Sequence, residues 1–171
     1  MPDEVERRDP PYQADERSMV ENWLDYHRAT LANKCAGLPD ERLAERSVPP
    51  SGLSLLGLVR HMAEVERSWF RNGVADEGAP PLYYSDADPD GDFDNVADAD
   101  VAEAFATWQA ECDHAREIAR GVASLDDVGR RQRHGQDVSL RWVLVHMVEE
   151  YARHNGHADL IRERIDGAVG E

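Results

Sequence analysis

At 171 residues the chain is long enough to bury a core as one domain without disulfides or a structural metal, so a bound metal would serve chemistry. Its 35 acidic against 19 basic residues give a formal net charge of -16, which argues against phosphate backbones and anionic lipid, and so against nucleic-acid or membrane partners. Cys35 and Cys112 stand far apart in no CxxC arrangement, and the charged start has no apolar run for a signal peptide or membrane span, so a cytoplasmic protein is expected.

Residues 1–14, with Pro2, Pro10 and Pro11, read as a flexible lead-in, and 15–171 as a single domain. A first helix is expected from about Asp15, with Val20, Trp23, Leu24, His27 and Leu31 on one stripe and Gly37 and Pro39 ending it. On that stripe His27 reads as a hydrogen-bonded core or supporting residue, not a ligand. Residues 38–52 contain Pro39, Pro49 and Pro50 and form a connection with one short turn around Leu43. Ser51 or Ser54 can cap a second helix whose stripe, Leu55, Leu58, Met62, Val65 and Trp69, has bundle spacing. His61 lies beside that stripe, and the helix should end near Asn72-Gly73.

The longest connection, 74–99, has the length of a functional cover or a mobile segment. A third helix follows over about 100–122, with Val101, Phe105, Trp108, Cys112, Ala115 and Ala119 inward. A second connection, about 124–138, includes His134-Gly135. The last helix, about 139–164, sets Leu140, Val143, Leu144, Met147, Tyr151, Ala158 and Ile161 on its apolar side. No strand-like alternation reaches useful length. The expected fold is all-α, a four-helix bundle with long loops between helices 1-2, 2-3 and 3-4.

The last helix also carries the chemistry. At about 100° per residue, His146, Glu150, His154 and His157 fall on one face. Imidazole and carboxylate are ordinary ligands of a divalent transition metal. Glu150 and His154, four apart, are the candidate ligands from this helix, and His61 supplies one from the second. His146 and His157 extend the face as orienting groups, proton carriers or an extra ligand. Glu149 projects about 60° to the other side and reads as solvated. The bland alternative is that all of these are ordinary, partly exposed helix residues.

A short internal echo links the two helices. Ser54-Leu55-Leu56-Gly57-Leu58-Val59-Arg60-His61-Met62 resembles Ser139-Leu140-Arg141-Trp142-Val143-Leu144-Val145-His146-Met147, each running from a capping serine to a histidine. Several other chemistries are not indicated: HExxH, GxSxG and a glycine-rich phosphate loop are all missing. The run from Asp86 to Asp92 begins like a calcium loop, but Ala97 stands where a bidentate glutamate is required and Phe93 where an aliphatic residue is usual, so a solvated acidic loop is expected. The two cysteines read as small buried residues.

Taken with Lys34-Cys35-Ala36-Gly37-Leu38, the segment from Pro50 through His61, Trp69-Phe70, and Ser139-Leu140-Arg141-Trp142 through His154-Asn155-Gly156-His157-Ala158-Asp159-Leu160, the chain resembles the DinB-like superfamily over nearly its whole length. Within it, the resemblance is to the actinobacterial branch of mycothiol-dependent enzymes. It implies a four-helix bundle holding zinc or nickel through three residues, matching His61, Glu150 and His154. Many members have histidine in place of Glu150, whereas the mycothiol-using maleylpyruvate isomerases are similar to this chain in having glutamate. His154-Asn155-Gly156-His157 departs from the His-Arg-Gly-Gln of many members. The resemblance further implies mycothiol or a similar low-molecular-weight thiol as cosubstrate and nucleophile, with a small-molecule electrophile transferred or isomerised. Relatives often form a homodimer through helix faces, and no residue here decides that point. A non-catalytic metal-binding or stress-associated protein and a metal-hydroxide hydrolase are the rival expectations.

Overall fold

Side-chain caps set where the long helices begin. The computed structural model describes residues 2–170, so Met1 of the expected lead-in and Glu171 of the expected domain lie outside the described residues. Asp15 accepts from the Ser18 amide and starts α1, Glu16–Cys35; the chain then turns through Gly37, at φ 74°, into a short α2, Asp40–Leu43. Ser54, not Ser51, caps α3, Leu55–Glu66, by accepting from the Gly57 amide. The helix runs on into a π-helical segment, Arg67–Val74. A four-residue α4, Gly91–Asp94, follows within the long connection. Asp100 caps α5, Val101–Gly121, and Ser139 caps α6, Leu140–Asp166, which closes on Gly167 at φ 82°. Both serines of the internal echo are therefore caps. The described residues form no strand and the chain is all-α.

The helix α1 packs along α6, and α3 packs along α5 while also meeting α1, α4 and α6. This central position makes α3 more buried than a single stripe predicts: every residue from Leu55 to Arg60, then Met62, Ala63, Glu64 and Glu66, is buried. The apolar positions expected on α5 and α6 face the core as read, with Phe105 only partly buried. In the core, one polar cluster draws a residue from each long helix. Arg28 of α1 holds Glu66 of α3 through two bonds of 2.8 and 2.7 Å. Tyr151 of α6 donates to the same carboxylate at 2.8 Å and accepts from Trp108 Nε1 of α5 at 2.8 Å. A buried charge persists only when paired and hydrogen-bonded in this way.

Three local features differ from expectation or add to it. The second helix does not stay α-helical to its end. Its π-helical turns hold Trp69, Phe70 and Val74 inward while Arg67 and Arg71 both reach the buried Glu111, at 2.6 and 2.7 Å. Residues 2–14 form no helix, and Val5 exchanges two hydrogen bonds with the Asn33 side chain, at 2.8 and 3.0 Å, which seats part of this segment on α1. The acidic run is solvated only in part. Asp86, Asp88 and Asp90 are exposed as expected, but Asp92 is buried, because Arg60 of α3 donates to the Gly91 and Asp92 carbonyls and pulls α4 against the core.

Candidate metal centre and cleft

Residues from α3, α4 and α6 converge at one place. His61, Glu150 and His154 each offer a ligand atom, and these atoms lie within 4.8 Å of one another. His61 Nδ1 is 2.8 Å from Asp92 Oδ2, and the imidazole stacks on Phe93 with ring centroids 4.5 Å apart. The carboxylate holds the Nδ1 proton, so the lone pair falls on Nε2. A carboxylate behind an imidazole is the usual support of a metal-bound histidine.

His154 is the buried member of the three. Burial, then the nearby His61 and His157 rings, pulls its imidazole down to about 4, so it is neutral near pH 7 and free to donate a lone pair. Its Nε2 is 3.6 Å from Glu150 Oε2, and its Nδ1 is 3.4 Å from His157 Nδ1. Glu150 turns its other oxygen, Oε1, toward His146 Nε2 at 3.3 Å. Two imidazoles and a carboxylate, partly to fully buried and with one imidazole held in a single tautomer, fit a divalent transition metal.

Above these residues opens a cleft of about 900 Å³ lined by His61, Glu150, His146, Trp69 and Trp142 among others. Trp142 stacks on His146 with centroids 4.8 Å apart, and Trp69 meets the same imidazole edge-on at 4.6 Å. His146 thus faces the cleft and belongs to a second close group with Glu149 and Glu150. His157 touches His154 and is not part of the cleft lining. Glu149 is exposed and pairs with Arg153. His27 stays outside the cluster, near the Asn155 side chain, which also donates to the His27 carbonyl at 3.0 Å.

A family model described as mycothiol-S-transferase matches residues 19–167. The chain belongs to the mycothiol-S-transferase family. No curated protein and no solved structure matches it. Membership agrees with the resemblance read from the sequence and supports an enzyme of the transferase type that uses mycothiol as its thiol. Among the described residues of this mycothiol-S-transferase family member, no helix is long and apolar enough to cross a membrane. Neither cysteine is placed as a nucleophile. Both are buried, and burial pushes Cys35 up to about 12 and Cys112 higher still.

Sequence reasoning missed Asp92, Phe93 and Glu64 as parts of the site. Glu64 accepts from the amides of Leu82 and Tyr83 and so fastens the long connection beside the cleft. One signal for Asp92 was available: the aromatic Phe93 directly follows the acidic run and marks the point where the chain turns inward.

Proposed function

We propose that the chain is a metal-dependent transferase that joins mycothiol to a small electrophile, with His61, Glu150 and His154 as the metal ligands. The observation that carries this reading is the approach of their donor atoms to within 4.8 Å beneath a cleft of substrate size. Zinc is the first choice of metal and nickel the second, given two imidazoles and one carboxylate. In this reading the four long helices are a DinB-like four-helix bundle formed by one domain from residue 15 onward, with 1–14 as its lead-in. The net charge of -16 disfavours nucleic-acid and anionic-membrane partners, and the reading takes the protein to act in the cytoplasm.

When bound, the metal would lower the pKa of the mycothiol thiol. The protein's own groups do the rest. Asp92 keeps the His61 proton on Nδ1, and His157 supports the His154 ring. His146, between the cleft and Glu150, accepts the thiol proton. Trp69 and Trp142 form an apolar wall that limits water at the reacting sulfur. The sulfur then forms an S–C bond, the leaving group departs with its bonding pair, and His146 passes the proton to solvent.

Purified protein incubated with zinc, mycothiol and a model electrophile tests this. Loss of electrophile that requires the thiol supports the transferase. Loss without thiol indicates the metal-hydroxide hydrolase, and no loss with metal bound indicates a non-catalytic metal-binding protein. Elemental analysis of His61→Ala, Glu150→Ala and His154→Ala should show strongly reduced metal, while His27→Ala and His134→Ala keep it. Full metal in the His61 variant would remove the two-helix site.

A further inference from the structure

The connection between α5 and α6 holds Arg130, Arg131, Arg133 and His134, a basic stretch in a chain of net charge -16. It is fixed to the end of the π-helical segment. The amides of Arg130 and Arg131 donate to the carbonyls of Val74 and Gly73 at 3.0 and 3.2 Å. Gly129 lies so close that a Cβ there would meet the Gly73 carbonyl oxygen at 2.6 Å. Arg133 and Gln136 exchange both backbone hydrogen bonds, at 2.9 and 3.0 Å, around a two-residue turn with His134 at φ 50° and Gly135 at φ 74°. Left-handed conformations at both central residues make the tight hairpin turn that fixes the direction of its flanking residues.

The residue fixed in this way is Arg133. Its guanidinium lies over the Trp69 ring, 4.5 Å from the centroid, and lines the cleft. Among the described residues it has no carboxylate partner, whereas Arg28, Arg67, Arg71 and Arg141 each have one. Stacking on an indole leaves the planar edge of a guanidinium, with its fork of N–H donors, open to an anion. Trp142, about half exposed at 49% and also lining the cleft, has its ring centroid 5.1 Å from that of Trp69, the ring under Arg133, while His146 stacks on it.

We propose that Arg133, stacked on Trp69, is the anion-recognition residue of the cleft, and that the electrophile is a planar unsaturated or aromatic carboxylate held by Arg133 at one end and against Trp142 along its body. The inference rests on the transferase reading for its role in catalysis. A guanidinium fork matches a carboxylate through two parallel N–H bonds, so the proposal assigns Arg133 to a carboxylate on the electrophile and not to the thiol. Arg133 is then a specificity residue and takes no part in bond making.

The binding test needs neither thiol nor turnover. Quenching of tryptophan fluorescence in the full chain should give 4-methylbenzoate a Kd at least about tenfold below that of 4-methylbenzamide, the size expected for one charge-assisted contact. Arg133→Leu should abolish the preference, Arg133→Lys should keep part of it, and Arg120→Leu, on the outer face of α5, should keep all of it. Equal affinities, no binding of either compound, or a preference that survives Arg133→Leu would overturn the proposal. In the transfer assay with mycothiol, Arg133→Leu should raise KM for 4-(chloromethyl)benzoate by a similar factor at unchanged kcat and leave 4-(chloromethyl)benzamide unaffected. Arg133-dependent binding without any turnover would overturn the transferase reading and leave the anion site standing.

Discussion

Asp92 is a side chain outside the candidate ligand set that contacts one of its members. It is buried, meets His61 Nδ1 at 2.8 Å, and comes from a segment that the sequence presents as an acidic loop. Asp92→Ala should lower metal affinity about ten- to a hundredfold, measured by competition with a chelator, with helix content by circular dichroism unchanged. An unchanged affinity would show that Asp92 does not support the site. The depressed His154 imidazole yields a second expectation at this scale. The folded pKa, about 4, lies below the unfolded value, so between roughly pH 6.5 and 4 the unfolded chain binds a proton that the folded chain does not. Metal-free protein should therefore lose stability as pH falls through that window, by about 1 kcal/mol between about pH 7 and 5 once the full linkage value of roughly 2 kcal/mol is discounted for solvent screening. Urea melts of chelator-treated protein test this, and His154→Gln should flatten the slope. The candidate ligands could be picked out because Glu150 and His154 are spaced i, i+4 on one helix. Asp92 could not, since spacing carries no information about a contact made across 31 positions of sequence.

Helix starts could be read closely, because Asp15, Ser54, Asp100 and Ser139 are all capping residues that precede apolar stripes. The change to π-helical turns at Arg67 could not. It accompanies two arginines meeting Glu111 of α5, a partner 40 or more positions away. The connection before α6 is held in place by a glycine that no periodicity marks. In Gly129→Ala the new Cβ would press on the Gly73 backbone carbonyl, which has no flexible end to move aside. We expect a loss of about 1–3 kcal/mol in urea unfolding, together with weaker electrophile binding in the cleft. Wild-type stability in this variant would mean that the connection does not sit tightly on the π-helical segment.

At the level of the whole molecule, the Arg28, Glu66, Trp108 and Tyr151 cluster ties one residue of each long helix to the others. Sequence patterning placed Trp108 and Tyr151 inward but could not foresee that Arg28 and Glu66 would be buried with them, because a charge looks solvated until its partner is known. Tyr151→Phe removes one hydroxyl and leaves both Trp108 Nε1 and part of Glu66 unsatisfied, which should cost about 1–3 kcal/mol. A thermal melt is the measurement, and an unshifted midpoint would show that the cluster is not cooperative. Cys112 lies against this cluster, and both thiols are buried with raised pKa values. Native protein should therefore leave Ellman's reagent unreacted until it unfolds. The same burial protects the protein from the small thiol that its family uses. When that thiol is oxidised, exposed protein cysteines are exposed to mixed-disulfide formation, but this chain presents no sulfur for the exchange. Its activity should consequently persist in an oxidised thiol pool, falling only as the reduced cosubstrate runs out.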